Sequence, residues 1–138
     1  MDLQMDEFLA NLIEFLYFFG TAAVLTVVFT VIYWAVTSHN ELKLIKENSA
    51  AAAAAFSGSL IGFVLPLVNV MVNSFGIVEM ILWSGVALIV QIIVYFLVRI
   101  PMPRISERIE ANEISAGIWL GAASLAGGML NAAAMTPS

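Results

Sequence analysis

The side chains able to do chemistry in this sequence are few, and the most suggestive are two acids beside long apolar runs. Glu14 and Glu79 each stand at the start of an uncharged stretch. A carboxylate at the edge of a membrane-spanning helix can attract cations, or it can simply face water at a favourable helix N-terminus. We therefore expect Glu14 and Glu79 to form an attraction site if the protein handles cations.

Uncharged polar side chains offer a second chemistry, a wet path between apolar helices. Gln91 is the most interior polar residue of LIVQIIV, where it could bond to a neighbouring helix or line such a path. Asn69 and Asn73 share one helix face after Pro66, and they form either a kinked vestibule or the end of a helix. His39, the one histidine, is either a solvated loop residue or a proton carrier.

The sequence lacks the residues that most enzymes use. It has no cysteine, one histidine, no glycine-rich phosphate loop and no cluster of metal-ligating residues. We therefore expect no catalytic residue, no metal and no cofactor.

The elements that must position these residues are apolar helices. Of the 138 residues, 62% are hydrophobic and 11% are charged, against about 25% charged in an ordinary globular chain. Four uncharged stretches are each long enough for the roughly 20 residues that cross a bilayer. The sequence predicts an all-α membrane protein with four spans, at about 15–38, 49–72, 79–99 and 114–134, and with loops at 39–48 and 100–113.

The basic residues indicate how these helices are oriented. All five lie in two places: Lys43 and Lys46 between the first two spans, and Arg99, Arg104 and Arg108 between the last two. Because cytoplasmic loops carry the excess of lysine and arginine, we predict cytoplasmic connectors and periplasmic termini. Neither connector is net basic and the net charge is −5, so nucleic acid is not an expected partner.

The second half of the chain echoes the first at a shift of 64 residues, which places Asn48 on Asn112. Each half is predicted to hold a bulky span, a charged connector and a small-residue span. We predict two parallel two-helix repeats, residues 1–74 and 75–138, related by a pseudo-two-fold axis along the membrane normal.

Small residues dominate spans two and four. Lipid gives apolar surfaces no reason to associate, so helices meet where small residues let their backbones approach, as in GxxxG spacings. The predicted packing residues are Ala53, Ser57, Gly58, Gly62, Gly117, Gly121, Ser124 and Gly128. We expect them to join spans two and four, within one chain or between chains, and we predict a homo-oligomer, a dimer or higher.

The ends of the spans carry signals of their own. Asn48 and Asn112 each open a small-residue span, and asparagine is a favoured N-cap, so both are predicted to cap helices. Tyr33 and Tyr95 lie near the predicted cytoplasmic boundary, where an aromatic belt is expected.

Three longer segments are distinctive: HNELKLIKENSAAAAAAFSGSLIGFVLPL (39–67), WSGVALIVQIIVYFLVRIPMPRISERI (83–109) and SAGIWLGAASLAGGMLNAAAMT (115–136). Together they resemble the YjfL family of bacterial inner-membrane proteins, domain-of-unknown-function family 350. The resemblance implies four membrane helices and no assigned enzyme activity. Members of the family tend to be encoded near phage-shock-protein-A-like membrane-remodelling proteins and glutathionylspermidine-synthase-like enzymes, which hints at envelope stress or membrane maintenance.

Three functions fit this sequence. The first is a non-enzymatic scaffold in the inner-membrane bilayer, which docks a phage-shock-protein-A-like partner at its cytoplasmic loops. The alternative is a small ion or solute channel or transporter, with a path lined by Gln91, Ser57, Ser59, Asn69 and Asn73. The third is an accessory subunit of a larger complex. A channel requires a continuous wet path, whereas a scaffold should be packed closed along its axis.

Overall fold

The computed structural model describes residues 2–37, 40–73 and 76–135, and these residues contain no β-strand. The helices are α1 (Asp2–Thr37), α2 (Glu41–Lys46), α3 (Ala50–Val72), α4 (Ile77–Val98), α5 (Ile105–Glu110) and α6 (Ile114–Ala134). Four of them, α1, α3, α4 and α6, are long and apolar enough to cross a bilayer. The prediction of an all-α protein with four spans is therefore confirmed. His39 lies outside the described residues.

One of the four spans is much longer than the others. α3, α4 and α6 have 23, 22 and 21 residues, which gives about 31–35 Å, close to the hydrocarbon thickness of a bilayer. α1 has 36 residues and is about 54 Å long. It begins at Asp2 instead of near residue 15, because the intervening segment has an acidic first turn and strong helix formers.

The extra length of α1 projects from one end of the bundle. Thr37, its last residue, is bonded to residues of α4 and α5. The first turns of α1 therefore extend beyond the opposite ends of the other spans. We call the end that carries α2 and α5 the connector end, and the opposite end the terminal end.

α3 lies at the centre of the bundle and contacts the other three long helices, most extensively α6. α3 and α6 run in the same direction. Near the connector end Gly117 approaches Ala51, and near the terminal end the Asn69 amide donates to the Ala132 carbonyl at 2.6 Å.

Glycine permits the close approach of α3 and α6. A Cβ added at Gly58 would lie less than 3.0 Å from the backbone of Gly121, and one added at Gly128 would lie equally close to Gly62. Real Cβ atoms essentially never come so near another atom, so a larger residue would force the helices apart. The structure brings six of the predicted packing residues into this contact: Gly58, Gly62, Gly117, Gly121, Ser124 and Gly128.

The other two predicted packing residues are less buried. Ala53 is half-buried and Ser57 is exposed. Ser57 precedes Gly58 by one position, and consecutive helix residues point about 100° apart. Within one chain, Ser57 therefore takes no part in the contact between α3 and α6.

Large aromatic side chains fill the space between α1, α3 and α4. Phe29 stacks on Phe63 with ring centroids 4.2 Å apart, and Tyr33 meets Tyr95 edge-on at 6.4 Å. All four side chains are at most 1% exposed. The predicted aromatic belt is therefore wrong for Tyr33 and Tyr95, because both hydroxyls find partners inside the bundle and need not reach the headgroups.

The two connectors end in the same kind of turn. Asn48 and Asn112 have positive φ angles of 67° and 59° and lie just past the ends of α2 and α5. In each turn the asparagine N–H and the N–H of the next residue bond back to carbonyls of the short helix, which is a Schellman ending. The predicted N-caps are corrected accordingly: the left-handed asparagine comes one residue earlier, and Ser49 and Glu113 hold the N-cap positions of α3 and α6.

Asn112 nevertheless caps a helix, in the other half of the chain. Its Oδ1 accepts hydrogen bonds from the Ala51 N–H at 3.1 Å and from the Ser49 hydroxyl at 3.3 Å. The Ser49 hydroxyl oxygen in turn accepts from the Ala52 N–H at 3.2 Å. The first turn of α3 therefore depends on a residue 61 positions further along the chain.

Candidate functional site

The densest group of buried hydroxyls lies at the connector end, where α1, α3, α4 and α5 meet. The Ser59 hydroxyl donates to the Tyr33 hydroxyl at 2.9 Å. The Tyr95 and Ser106 hydroxyls both donate to the Thr37 carbonyl, at 2.9 and 2.6 Å, and their oxygens lie 2.5 Å apart. We call Tyr33, Thr37, Ser59, Tyr95 and Ser106 the connector cluster.

The connector cluster holds the short helix α5 against the bundle. The last carbonyls of a helix have no intrahelical partner, and at Thr37 the α4 and α5 hydroxyls supply one. On either side of Ser106 in the sequence, Ile105 and Ile109 are fully buried. Since their i, i+4 spacing places them on one face, α5 is an amphipathic helix with its apolar face inside the protein.

A buried acid lies at the start of α2. Glu41 is fully buried, and its carboxylate accepts a hydrogen bond from the Trp34 indole N–H at 3.1 Å. Nothing in the sequence indicates that Glu41 is buried. A buried carboxyl group needs a hydrogen-bond partner, and the bond from Trp34 ties the start of α2 to the last turns of α1.

A polar cavity of about 250 Å³ opens beside the connector cluster. It lies where α4 passes into α5, and we call it the connector pocket. Its walls are formed by Tyr95, Arg99, Pro103, Arg104, Ser106, Glu107 and Glu110. Tyr95 and Ser106 belong to the connector cluster as well, so the pocket borders directly on the hydroxyls that anchor α5.

The charges of the connector pocket are balanced in number but only loosely paired. Arg104 lies 3.9 Å from Glu107, and both side chains are largely exposed. The Arg99 guanidinium lies 5.9 Å from the Tyr95 ring centre and 5.8 Å from that of Phe96, a cation–π arrangement that holds it at the mouth of the pocket. A bound ion with both signs of charge would find a partner for each.

Gln91 lies in the middle of the bundle, where it joins α4 to α6. It is fully buried, and its amide donates to the Ser124 carbonyl at 3.0 Å. Its Oε1 is buried without a hydrogen-bond partner in the described part of the chain. The geometry is that of an interhelical hydrogen bond.

The other residues of the predicted path are not continuous with Gln91. Asn69 bonds to α6 near the terminal end, and Asn73 donates to Asn69 at 2.7 Å. Glu14 and Glu79 are both exposed, and the only partner of Glu79 in the described residues is the Trp83 indole, at 3.3 Å. Among the described residues, the structure does not bring these side chains into one line through the bundle.

Sequence reasoning missed the connector pocket and most of the connector cluster. Tyr95, Ser106 and Thr37 lie in three different elements, and no spacing rule connects them. The one available signal was the i, i+4 spacing of Ile105 and Ile109 on either side of Ser106.

The comparisons with known proteins agree with this architecture. The family model described as Domain of Unknown Function (DUF350) matches residues 7–135. The chain is 42% identical over 128 residues to the UPF0719 inner membrane protein YjfL of Escherichia coli K12, covering 93% of this chain and 97% of that protein. The same identity and coverage are found for the YjfL protein of Escherichia coli O157:H7. No solved structure matches. The chain, an inner-membrane protein with four apolar helices, therefore belongs to the DUF350 family.

Proposed function

We propose that this protein is a non-enzymatic membrane scaffold that docks a cytoplasmic membrane-maintenance protein at its connector end. The observation that carries the proposal is the contact between α3 and α6. Gly58 meets Gly121 and Gly62 meets Gly128, backbone against backbone. The interface between the two halves is thereby closed at the place where a path through the bundle would have to run.

The connector end supplies the docking surface. Its two short helices are held in place, α2 by the buried Glu41 and α5 by the buried Ile105 and Ile109. Lys43 and Lys46 are exposed on α2, and Glu47 is exposed directly after it. Ordered helices present charges in a fixed pattern, which costs a partner less entropy than ordering a loop would.

In this proposal the chain is two parallel repeats with periplasmic termini. The residues that touch across α3 and α6 support the repeats, because they lie close to the 64-residue shift: Gly58 with Gly121 is a separation of 63 residues, and Gly62 with Gly128 is one of 66. Positions related by a two-fold axis meet near that axis, as these do. The lysines and arginines of the connectors support the orientation.

The proposed homo-oligomer uses a different face from the one first expected. The glycines of α3 and α6 already pack against each other within one chain. Ala122 and Ala126, in contrast, are exposed on the outer side of α6. Their small-xxx-small spacing suits a second helix. A phage-shock-protein-A-like protein remains the partner that we propose for the connector end.

Two experiments test the proposal. A photocrosslinking residue placed at Glu47 or Glu110 should capture one cytoplasmic protein in living cells, while the same residue at Glu14 or Glu79 should not. The purified chain in sealed vesicles should pass no K⁺, Na⁺ or small dye above the level of empty vesicles. Flux above that level would favour the channel. Equal capture at all four positions would contradict a docking surface at the connector end.

The orientation has its own test, because the natural chain has no cysteine. In intact spheroplasts, a membrane-impermeant maleimide should label Asp6→Cys but not Glu47→Cys or Glu110→Cys. Labelling with the opposite pattern would refute periplasmic termini.

A further inference from the structure

The connector pocket has the charges of a zwitterion-binding site. Its walls carry two guanidinium groups, Arg99 and Arg104, and two carboxylates, Glu107 and Glu110. Among the described residues, neither Arg99 nor Glu110 has an ion-pair partner, and the Arg104–Glu107 pair is loose at 3.9 Å. Arg108, which is not part of the pocket, is instead bonded to Glu113 at 3.2 Å.

The position of the pocket adds a second constraint on the ligand. Arg99 directly follows the last residue of α4, so its side chain lies where the span leaves the hydrocarbon. Phe96, Leu97 and Ile100, which flank it, are exposed on the outside of the bundle, Ile100 at 75%. A molecule seated in the pocket would therefore have its polar part against the arginines and an apolar part along α4.

The balance of charge selects among such molecules. A guanidinium binds a phosphate in bidentate fashion, and a carboxylate accepts hydrogen bonds from a primary ammonium. An anionic headgroup would meet the repulsion of Glu107 and Glu110. A quaternary ammonium could not donate to them at all.

We infer that the connector pocket binds the headgroup of an amine-bearing zwitterionic phospholipid, of the phosphatidylethanolamine type. Arg99 and Arg104 take the phosphate, Glu110 and Glu107 take the ammonium, and the acyl chains lie along the exposed side of α4. Tyr95, which is 1% exposed and bonded to Ser106 and Thr37, gives the pocket a fixed floor. The inference goes beyond the scaffold proposal and does not depend on it, because it concerns the purified chain and lipid alone.

Native mass spectrometry of the delipidated protein in detergent tests the site. Phosphatidylethanolamine, phosphatidylglycerol and phosphatidylcholine with identical acyl chains are titrated separately. We expect the first to bind about tenfold more tightly than either of the others, the size of one charge-assisted hydrogen bond. Equal binding of the three lipids, or tighter binding of phosphatidylglycerol, would overturn the inference.

Charge-removing variants separate the two halves of the headgroup. Arg99→Gln should weaken phosphatidylethanolamine and phosphatidylglycerol alike, by about tenfold. Glu110→Gln should weaken phosphatidylethanolamine but strengthen phosphatidylglycerol, because a repulsive carboxylate is gone. Arg108→Gln and Glu113→Gln are the matched controls, since they remove the same charges from the same connector outside the pocket, and both should bind as the unsubstituted protein does.

Two further measurements guard the interpretation. Free phosphoethanolamine should compete only weakly, because it lacks the acyl chains; competition as strong as that of the lipid would assign the pocket to a soluble ligand and refute the lipid. Arg99 and Glu110 are exposed, so Arg99→Gln and Glu110→Gln should unfold at the midpoint of the natural protein, and the midpoints of the two controls are measured beside them. A loss of lipid selectivity in Arg108→Gln equal to that in Arg99→Gln would show a general charge effect and no site.

Discussion

The close approach of α3 and α6 can be tested by adding a single methyl group. Gly58→Ala places a Cβ against the Gly121 backbone, nearer than 3.0 Å, whereas ordinary contact begins at about 3.4 Å. The obstacle is backbone and not the tip of a flexible side chain, so relief requires the helices to separate. Gly85→Ala makes the same chemical change in α4 at a position where nothing lies within 4 Å of the new carbon.

The comparison of the two variants isolates the steric term. Both replace a glycine inside a helix by alanine, which favours the helix by about 0.5–1 kcal/mol in each case. Overpacking a close contact lowers the free energy of unfolding by about 1–3 kcal/mol, and only Gly58→Ala overpacks one. We therefore expect Gly58→Ala to be less stable than Gly85→Ala by about 1–3 kcal/mol, with Gly85→Ala as stable as the natural protein or more so.

Reversible unfolding in mixed micelles measures this difference. The purified variants are titrated with sodium dodecyl sulfate in a mild detergent, and helix content and tryptophan emission are followed together. Gly20→Ala in α1 serves as a second control, because nothing lies within 4 Å of the added Cβ there either. If Gly58→Ala unfolds at the same midpoint as Gly85→Ala, the helices do not meet through Gly58, and the argument for a closed interface fails.

Three further predictions use the same assay. Asn112→Gly should lose about 1 kcal/mol, the value of a side-chain hydrogen bond, and Asn48→Gly nearly nothing, because glycine accepts the positive φ at both sites and only the Asn112 side chain bonds to the first turn of α3; equal losses would contradict the cross-cap. Gln91→Met should change stability by less than about 1 kcal/mol, since it removes one interhelical bond and one unpartnered buried oxygen together; a loss above 2 kcal/mol would show that the oxygen has a partner. Tyr95→Phe should lose about 1 kcal/mol of unfolding free energy and be cleaved faster by protease between α4 and α5. Tyr17→Phe, at an exposed site, should show neither change. If Tyr95→Phe behaves as the natural protein does, the Tyr95 hydroxyl does not hold α5.

The four spans could be predicted because membrane insertion depends on composition over about 20 residues, a property that a sequence displays directly. The glycine spacing likewise indicated a close helix contact, since Gly58 and Gly62 lie one turn apart on one face. What the spacing could not show was whether the partner helix came from the same chain. That choice depends on connector geometry, which Asn48 and Asn112 set through left-handed turns.

The connector pocket could not be predicted because it depends on tertiary packing. Arg99 lies just past the end of α4 and Glu110, 11 positions later, is the last residue of α5, so only the fold of residues 99–105 brings them to one cavity. The burial of Glu41 could not be predicted for a related reason. A glutamate in a charged connector is exposed by default, and here a hydrogen bond from the Trp34 indole holds it inside the protein.

The dependence of α3 on Asn112 has a consequence for biosynthesis. α3 is complete at Val72, but its cap and its glycine-lined neighbour arrive only with residues 112–134. At about 5–20 residues per second, the ribosome needs roughly 3–12 s to make the remaining stretch. During that interval the nascent α3 is in the bilayer with its small-residue face uncovered, open to any passing helix or to a chaperone that shields it.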